Sequence, residues 1–369
     1  MITVLWQGSP RQLRTKKQEP RTKRQERHPE ERELVGGCGG MKIVFIYDLC
    51  YPEFISGATR RIWELGRRLA ARGHEVCLLS MKMWSGPDEV VAEGVRRVGV
   101  CRERPPFTSG GRRTFSEPLF FALGVLRYLR RCRTAIVDCA EMPYLAALAA
   151  RLALRTRAKL VITWHEVRGL RAWCDYTGCV GGVLAALLER VVGRLAAHNV
   201  AISGMTAERA VRMLGARDFC VVPCGVDVGA VRKLELPARE NQILHVGRLV
   251  RHKQVEWALA AFAELERTQP GYTLKIIGTG YRKPALVALA ERLGLRDRVV
   301  FVDSVSETEL WREYARSRAL LFPSLQEGFG MVLIEAMAVG TPVIALDAPN
   351  SAARKILTHG QDGILVGSQ

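Results

Sequence analysis

The chain has 369 residues, 48% of them hydrophobic, and carries 55 Lys and Arg against 37 Asp and Glu, a formal charge of +18. That length suffices for two domains with full cores, and no uninterrupted apolar run approaches the length of a membrane span, about 18 residues. The ten cysteines form no C-x-x-C pair, which argues against a zinc site or a disulfide framework and fits a reducing cytoplasm.

The charge is uneven. Residues 1–40 hold 9 Lys/Arg against 5 Asp/Glu, residues 41–235 hold 30 against 18, and residues 236–369 hold 16 against 14. The excess in the middle segment suggests that it faces an anionic surface or acceptor. Residues 1–40, rich in Arg, Lys, Gln, Glu and Pro, lack the basic-then-apolar pattern of a secretory signal and read as a disordered basic extension. They also lack aromatic residues interleaved for base stacking, so nucleic acid is not the expected partner.

From Met41 the pattern becomes that of an α/β domain. Lys42–Tyr47 is a continuous apolar strand of the kind buried in a parallel sheet. A loop over Asp48–Gly57 leads to a helix from Ala58 to Arg72, with Ile62, Leu65 and Leu69 on one face, and then to a strand over Val76–Leu79. This β-loop-α-β unit implies a right-handed crossover. Thr108–Arg113 precedes an apolar run that ends in Arg127, Arg130, Arg131 and Arg133. The run reads as a core helix with a solvated basic end, a membrane-surface patch being the alternative. Both Pro118–Leu126 and Val180–Leu188 are expected to be buried helix segments. A short strand over Ala135–Val137, a helix over Pro143–Leu154 and a strand over Lys159–Trp164 follow. The last delivers His165-Glu166 at its C-terminal end, where α/β sheets place their ligands; Glu166 is either an acceptor-side carboxylate or a loop charge. Helices at Leu184–Leu195 and Thr206–Met213 flank a strand at Asn199–Ile202, and Leu234–Glu240 reads as a hinge.

The second half opens with the strand Ile243–Val246, then Gly247-Arg248-Leu249, with Lys253 five residues beyond Arg248. Two cations at a strand end suit a diphosphate, because Arg bridges two oxygens and Lys supplies a point charge. The strand Tyr272–Ile277 feeds Gly278-Thr279-Gly280, which lacks the third glycine of a dinucleotide fingerprint, and no P-loop occurs. After a strand at Val299–Val302 comes the most informative stretch, FPSLQEGFGMVLIEAMAVGTPVIA, Phe322–Ala345. A strand closes at Pro323, Gly328 and Gly330 turn the backbone, and a helix runs from Met331 until just before Gly340. Glu327 then lies in the loop and Glu335 on the helix. A helix start behind a glycine turn is a ready anion site, and carboxylates accept hydrogen bonds from hydroxyls. Phosphate between the two glutamates, with a sugar at one and a ribose at the other, fits both. The last strands are Val343–Leu346 and Gly363–Val366.

This stretch resembles the E-x7-E signature of the retaining glycosyltransferases of family 4, which have the α/β GT-B fold of two Rossmann-like domains facing a cleft. The resemblance implies that Glu327 contacts the transferred sugar, that Glu335 holds the nucleotide ribose, and that Arg248 and Lys253, in the pattern G-R-L-x-x-x-K, hold the diphosphate with the amides of Phe329, Gly330, Met331 and Val332. It places Gly57 near the diphosphate, with Ser56 standing where the family has a first glycine, and His165 on the transferred sugar from the opposite domain. The turn Val221–Asp227 matches a family motif with Asn at the position of Cys224, and the loop Asp303–Ser306 is expected near the base. Residues 41–235 become an acceptor domain and 236–369 a nucleotide-sugar domain. Family members continue with helices that cross back to the first domain, so the C-terminal crossover helices are expected to be missing from this sequence.

The implied activity is retaining transfer from a nucleoside-diphosphate sugar to a glycan or lipid-linked acceptor, with no metal and no further cofactor. The cysteine usage points to a cytoplasmic protein, and the basic residues 41–235 to an anionic membrane surface as a partner, peripheral on its inner face. A glycoside hydrolase needs both carboxylates flanking one glycosidic bond, which fits less well. The alternatives are a nucleotide-sugar epimerase on the same fold and a non-catalytic basic protein associated with membrane or nucleic acid.

Overall fold

The computed structural model describes residues 40–105, 114, 116–154, 158–195, 198–217 and 219–367. Residues 1–39 of the basic extension and Thr108–Arg113 lie outside them. Gly40–Gln369 form one compact unit built on two large sheets.

The first half contains β1 (Lys42–Ile46), α1 (Gly57–Ala70), β2 (Glu75–Lys82), β3 (Glu89–Ala92), β4 (Val95–Arg102), α2 (Ser116–Arg131), β5 (Ile136–Ala140) and α3 (Tyr144–Leu154). It continues through β6 (Lys159–Trp164), α4 (Gly169–Thr177), α5 (Cys179–Leu195), β7 (His198–Ala201), α6 (Gly204–Leu214), β8 (Phe219–Val221) and α7 (Val228–Val231). The second half contains β9 (Gln242–Val246), α8 (Val255–Thr268), β10 (Thr273–Ile277), α9 (Lys283–Arg292), β11 (Val299–Val302), α10 (Glu307–Arg316), β12 (Ser317–Phe322), β13 (Gln326–Glu327), α11 (Met331–Ala338), β14 (Val343–Asp347), β15 (Asn350–Ser351), α12 (Ala353–Ile356) and β16 (Gly363–Gly367).

The first sheet runs β3-β4-β2-β1-β5-β6-β7-β8 and the second β11-β10-β9-β12-β14-β16. All pairings are parallel except that of β3 with β4. Strand order reverses between β1 and β5 in one sheet and between β9 and β12 in the other. In open α/β sheets such a switch point, at the carboxyl ends of the strands, is where a crevice opens for ligands. Helices cover both faces of each sheet, which is why the central strands are apolar on both sides. Val44, Ile46, Val137 and Ile162 pack toward α2 and α3, whereas Ile43 and Phe45 pack toward Ile62 and Trp63 of α1. The second sheet is divided the same way, with Leu244, Leu320 and Val343 on one face and Ile243, Leu274 and Ile276 on the other.

Several features depart from the sequence expectation. The antiparallel hairpin β3–β4 and the helices α4, α8, α9 and α10 were not anticipated. The runs Pro118–Leu126 and Val180–Leu188 do form helices, but they are not buried throughout: Leu119, Phe120 and Leu123 of α2 and Val180, Val183, Leu184 and Leu187 of α5 are exposed. Each helix covers the sheet with one face only, through Phe121, Val125 and Leu129 of α2 and Val192 of α5, so apolar residues on the opposite face stay exposed, with the Arg104 guanidinium 3.8 Å from the centre of the Phe120 ring.

Candidate active site

Both switch points face the same crevice. On the second sheet, the chain leaving β9 turns at Gly247 and passes Arg248 before a short 3-10 turn, Arg251–Lys253. Arg248 is exposed and has no ion-pair partner among the described residues. Lys253 is 13% exposed; its ammonium pairs with Glu327 and lies 5.3 Å from the centre of the Phe322 ring. Glu327 is held in place by its backbone, since β13 pairs with β15 and the Glu327 carbonyl accepts from the Ala352 amide at 3.0 Å. Gly330 caps α11 at φ 93°, a left-handed conformation that glycine adopts without strain. Behind it the amides of Met331 and Val332 open the helix, where no preceding carbonyl is available to them. One turn further on, the buried Glu335 accepts from Tyr314 Oη at 2.8 Å.

The first sheet contributes the facing wall. His165 follows β6, its ring stacked on Tyr47 with centroids 6.2 Å apart. Its Nδ1 lies 2.9 Å from Glu141 Oε2, while Glu141 Oε1 accepts from the Glu166 amide at 3.1 Å. His165 Nε2 is buried with no hydrogen-bond partner among the described residues. Gly57 is the first residue of α1, and a side chain there would press on Met331 at 3.1 Å. Ser56 caps α1 by a reciprocal box with Thr59, the role Ser commonly fills at a helix start.

Glutamate 327 and Lys253 are thus in contact, Arg248 lies on the same edge, and the Gly328–Gly330 turn reaches across to His165. A Cβ at Gly328 would collide with the His165 carbonyl, and Ser203 Oγ donates to the Gly328 carbonyl at 2.7 Å. Gln326 also donates to Glu166, which makes Glu166 part of the junction between the halves. Burial works against the Glu166 carboxylate, yet Arg168 and Arg248 hold it below its ordinary pKa. His252 is pushed down to about 4, first by burial and then by Lys253 and Arg248, so the cationic edge consists of Arg248 and Lys253 at neutral pH.

Three residues that sequence reasoning did not assign belong to this arrangement. Glu141 orients His165, and Tyr314 binds Glu335. Arg60, in the first turn of α1, donates from Nη1 to Glu335 Oε1 at 2.9 Å, pairs with Glu307 and lies 5.9 Å from the Trp311 ring centre. Burial pushes the Glu335 carboxyl up, against the pull of Arg60 and Tyr314. Arg60, Arg61, Cys224, Trp311, Met331 and Glu335 line a cavity of about 190 Å³. Burial raises the Cys224 thiol to about 11, leaving it uncharged there.

Two parallel sheets whose switch points share one crevice, with a cation pair and two glutamates on one side and an oriented histidine on the other, define a two-domain α/β protein of the GT-B class. Residues 55–230 match the family model Glycosyltransferase Family 4, and residues 230–369 match Glycosyl transferases group 1. The chain belongs to this glycosyltransferase family. Glycogen synthase of Mycobacterium tuberculosis is 28% identical over 349 residues, covering 88% of this chain and 82% of the relative. D-inositol 3-phosphate glycosyltransferase of Nocardia farcinica is 34% identical over 231 residues, 58% of this chain and 51% of the relative. Among solved structures, sucrose-phosphate synthase from Thermosynechococcus elongatus superposes with a TM-score of 0.73 at 22% identity, covering 89% of this chain and 86% of that one. Anabaena HepE in complex with UDP-glucose gives 0.65 at 19% identity, covering 89% and 86%.

Proposed function

We propose that this glycosyltransferase takes its sugar from a nucleoside-diphosphate sugar held by residues 236–369 and passes it, with retention of anomeric configuration, to a glycan or lipid-linked acceptor held by residues 41–235. The observation that carries this reading is the exposed Arg248 and the Glu327-paired Lys253 on the same edge as the open start of α11, opposite His165. Arg248, Lys253 and the amides of Phe329, Gly330, Met331 and Val332 take up the charge of the departing diphosphate, a preorganised stabilisation that requires no metal ion. Gly57 lets α1 begin close to that group. Glu335 accepts from the ribose hydroxyls, and Glu327 from hydroxyls of the transferred sugar.

His165 supplies its free Nε2 to the sugar from the other side. With Nδ1 engaged by Glu141, Nε2 is the ring nitrogen left to meet a hydroxyl of the sugar. No carboxylate is asked to act as a covalent nucleophile. The acceptor hydroxyl instead attacks from the face the diphosphate leaves, and the departing phosphate takes its proton. The scattered cysteines, without a C-x-x-C pair, support a cytoplasmic setting for this reaction.

Calorimetry against UDP-, GDP- and ADP-sugars identifies the donor. With that donor, Glu327→Gln is expected to retain nucleoside diphosphate binding and lose transfer, whereas Arg248→Ala and Lys253→Ala weaken diphosphate binding at least about tenfold each. Unchanged affinity in both cation variants would remove the diphosphate from this edge.

A further inference from the structure

We infer that the outer surface of α2, α3 and α5 is a docking face for an anionic lipid bilayer. Val180, Val183, Leu184, Leu187 and Val191 of α5 are 88, 57, 54, 57 and 40% exposed. Their spacing places them in one stripe along the helix, while Val192 packs inward on the sheet. On α2, Leu119, Phe120 and Leu123 are exposed opposite the buried Phe121 and Val125, and Leu152 of α3, the helix between them, is 59% exposed. Helices apolar on both faces need an apolar environment on both, and exposed patches of this kind mark association surfaces.

Charge identifies the occupant. All three helices run antiparallel to the strands they connect, so they point the same way. On α2 and α5 the apolar positions come first, and the exposed Arg127, Arg130, Arg131, Arg190 and Arg194 lie in the later turns. Arg151 adds a cation on α3. The carboxylates of these helices, Glu117 and Glu189, are buried, so among their described residues the three helices present apolar side chains bordered by cations and no exposed acid of their own; the exposed Asp88 lies at the edge of this surface, beside Arg127 and Arg131. A bilayer accommodates both, the apolar residues at the acyl boundary and the arginines among anionic headgroups. A second copy docked through the same face would set like charges against one another, and residues 1–39 are themselves net basic. RNA would use the arginines but not the stripe.

The test is co-sedimentation of the full chain with vesicles of phosphatidylglycerol and phosphatidylcholine, beside vesicles of phosphatidylcholine alone, at low and high salt. Binding is expected only to the anionic vesicles and weakens with salt. Leu184→Glu with Leu187→Glu lowers the partition coefficient at least about tenfold without changing the melting temperature, because both side chains are exposed. Arg130→Glu with Arg131→Glu lowers it and flattens its salt dependence. Absence of binding, equal binding to neutral vesicles, or full binding by the leucine double variant overturns the inference. So does a dimer in light scattering that the leucine double variant dissolves, which would assign the stripe to a second copy. None of these outcomes bears on the crevice, where transfer is assigned.

Discussion

Glu335 shows how a side chain can be legible in sequence while its partners are not. Its position on α11 follows from the glycine turn and the helical period, but Arg60 reaches it from the other half of the chain and Tyr314 from another helix. Nothing local marks Arg60, one of several arginines on the polar side of α1. If Glu335 accepts ribose hydroxyls, Arg60 competes for the same oxygen, and a hydrogen bond to a charged group is worth about 1.5–3 kcal/mol. Arg60→Ala is therefore expected to tighten nucleoside diphosphate binding about tenfold by calorimetry; unchanged affinity would mean that nucleotide and Arg60 do not share Glu335. His165 was likewise visible at a strand end, whereas Glu141 lies 24 residues earlier. The register of β5 on β6, Ala140 opposite Thr163, brings them together. Glu141→Gln should leave diphosphate affinity intact and lower kcat by one to two orders of magnitude, about 1.4–2.8 kcal/mol, with Glu141→Asp recovering part of it. An equal loss of nucleotide binding would instead mark Glu141 as structural.

At the level of elements, the parallel strands were legible because strands buried on both faces are short apolar runs, and Lys159–Trp164 and Val299–Val302 match to the residue. The hairpin β3–β4 was hidden because its strands mix charged and apolar residues at a sheet edge. Its signal was the dipeptide Glu93-Gly94, both at positive φ (48° and 77°), a two-residue turn of the kind that favours hairpins, with Glu in a position more often filled by Asn or Asp. The junction at Gly328 was legible only in part: the two glycines announced a close approach, but not that Ser203 would meet it. Ser203 caps α6 through the Thr206 amide and also holds the Gly328 carbonyl. Losing a cap of this type costs about 1 kcal/mol. Ser203→Ala is expected to lower the urea midpoint accordingly and to raise KM for the donor by loosening the loop. A variant with wild-type KM would show that the loop keeps its position without that bond.

Across the whole molecule, stability should depend on pH through buried histidines. His245 on β9 is 1% exposed, with Nδ1 3.0 Å from the Leu321 carbonyl and Nε2 without a partner among the described residues. Burial, more than nearby Lys253, lowers its pKa to about 4 from an ordinary 6.5. The unfolded chain takes up this proton as pH falls through 6.5, but the folded chain does so only near 4. Acid therefore favours unfolding: the contribution is fully present above 6.5 and is lost progressively between 6.5 and 4. That gap corresponds to roughly 3 kcal/mol, a substantial share of a typical domain's net stability. The sequence showed a histidine in an apolar strand, but its burial on both faces depends on strands drawn from distant parts of the chain. His245→Asn keeps a donor for the Leu321 carbonyl and removes the titration. Urea midpoints measured at pH 7 and pH 4.5 should fall further in the wild type than in the variant. Equal falls would assign the acid sensitivity to other groups, of which His252, also near 4, is the next to test by the same substitution.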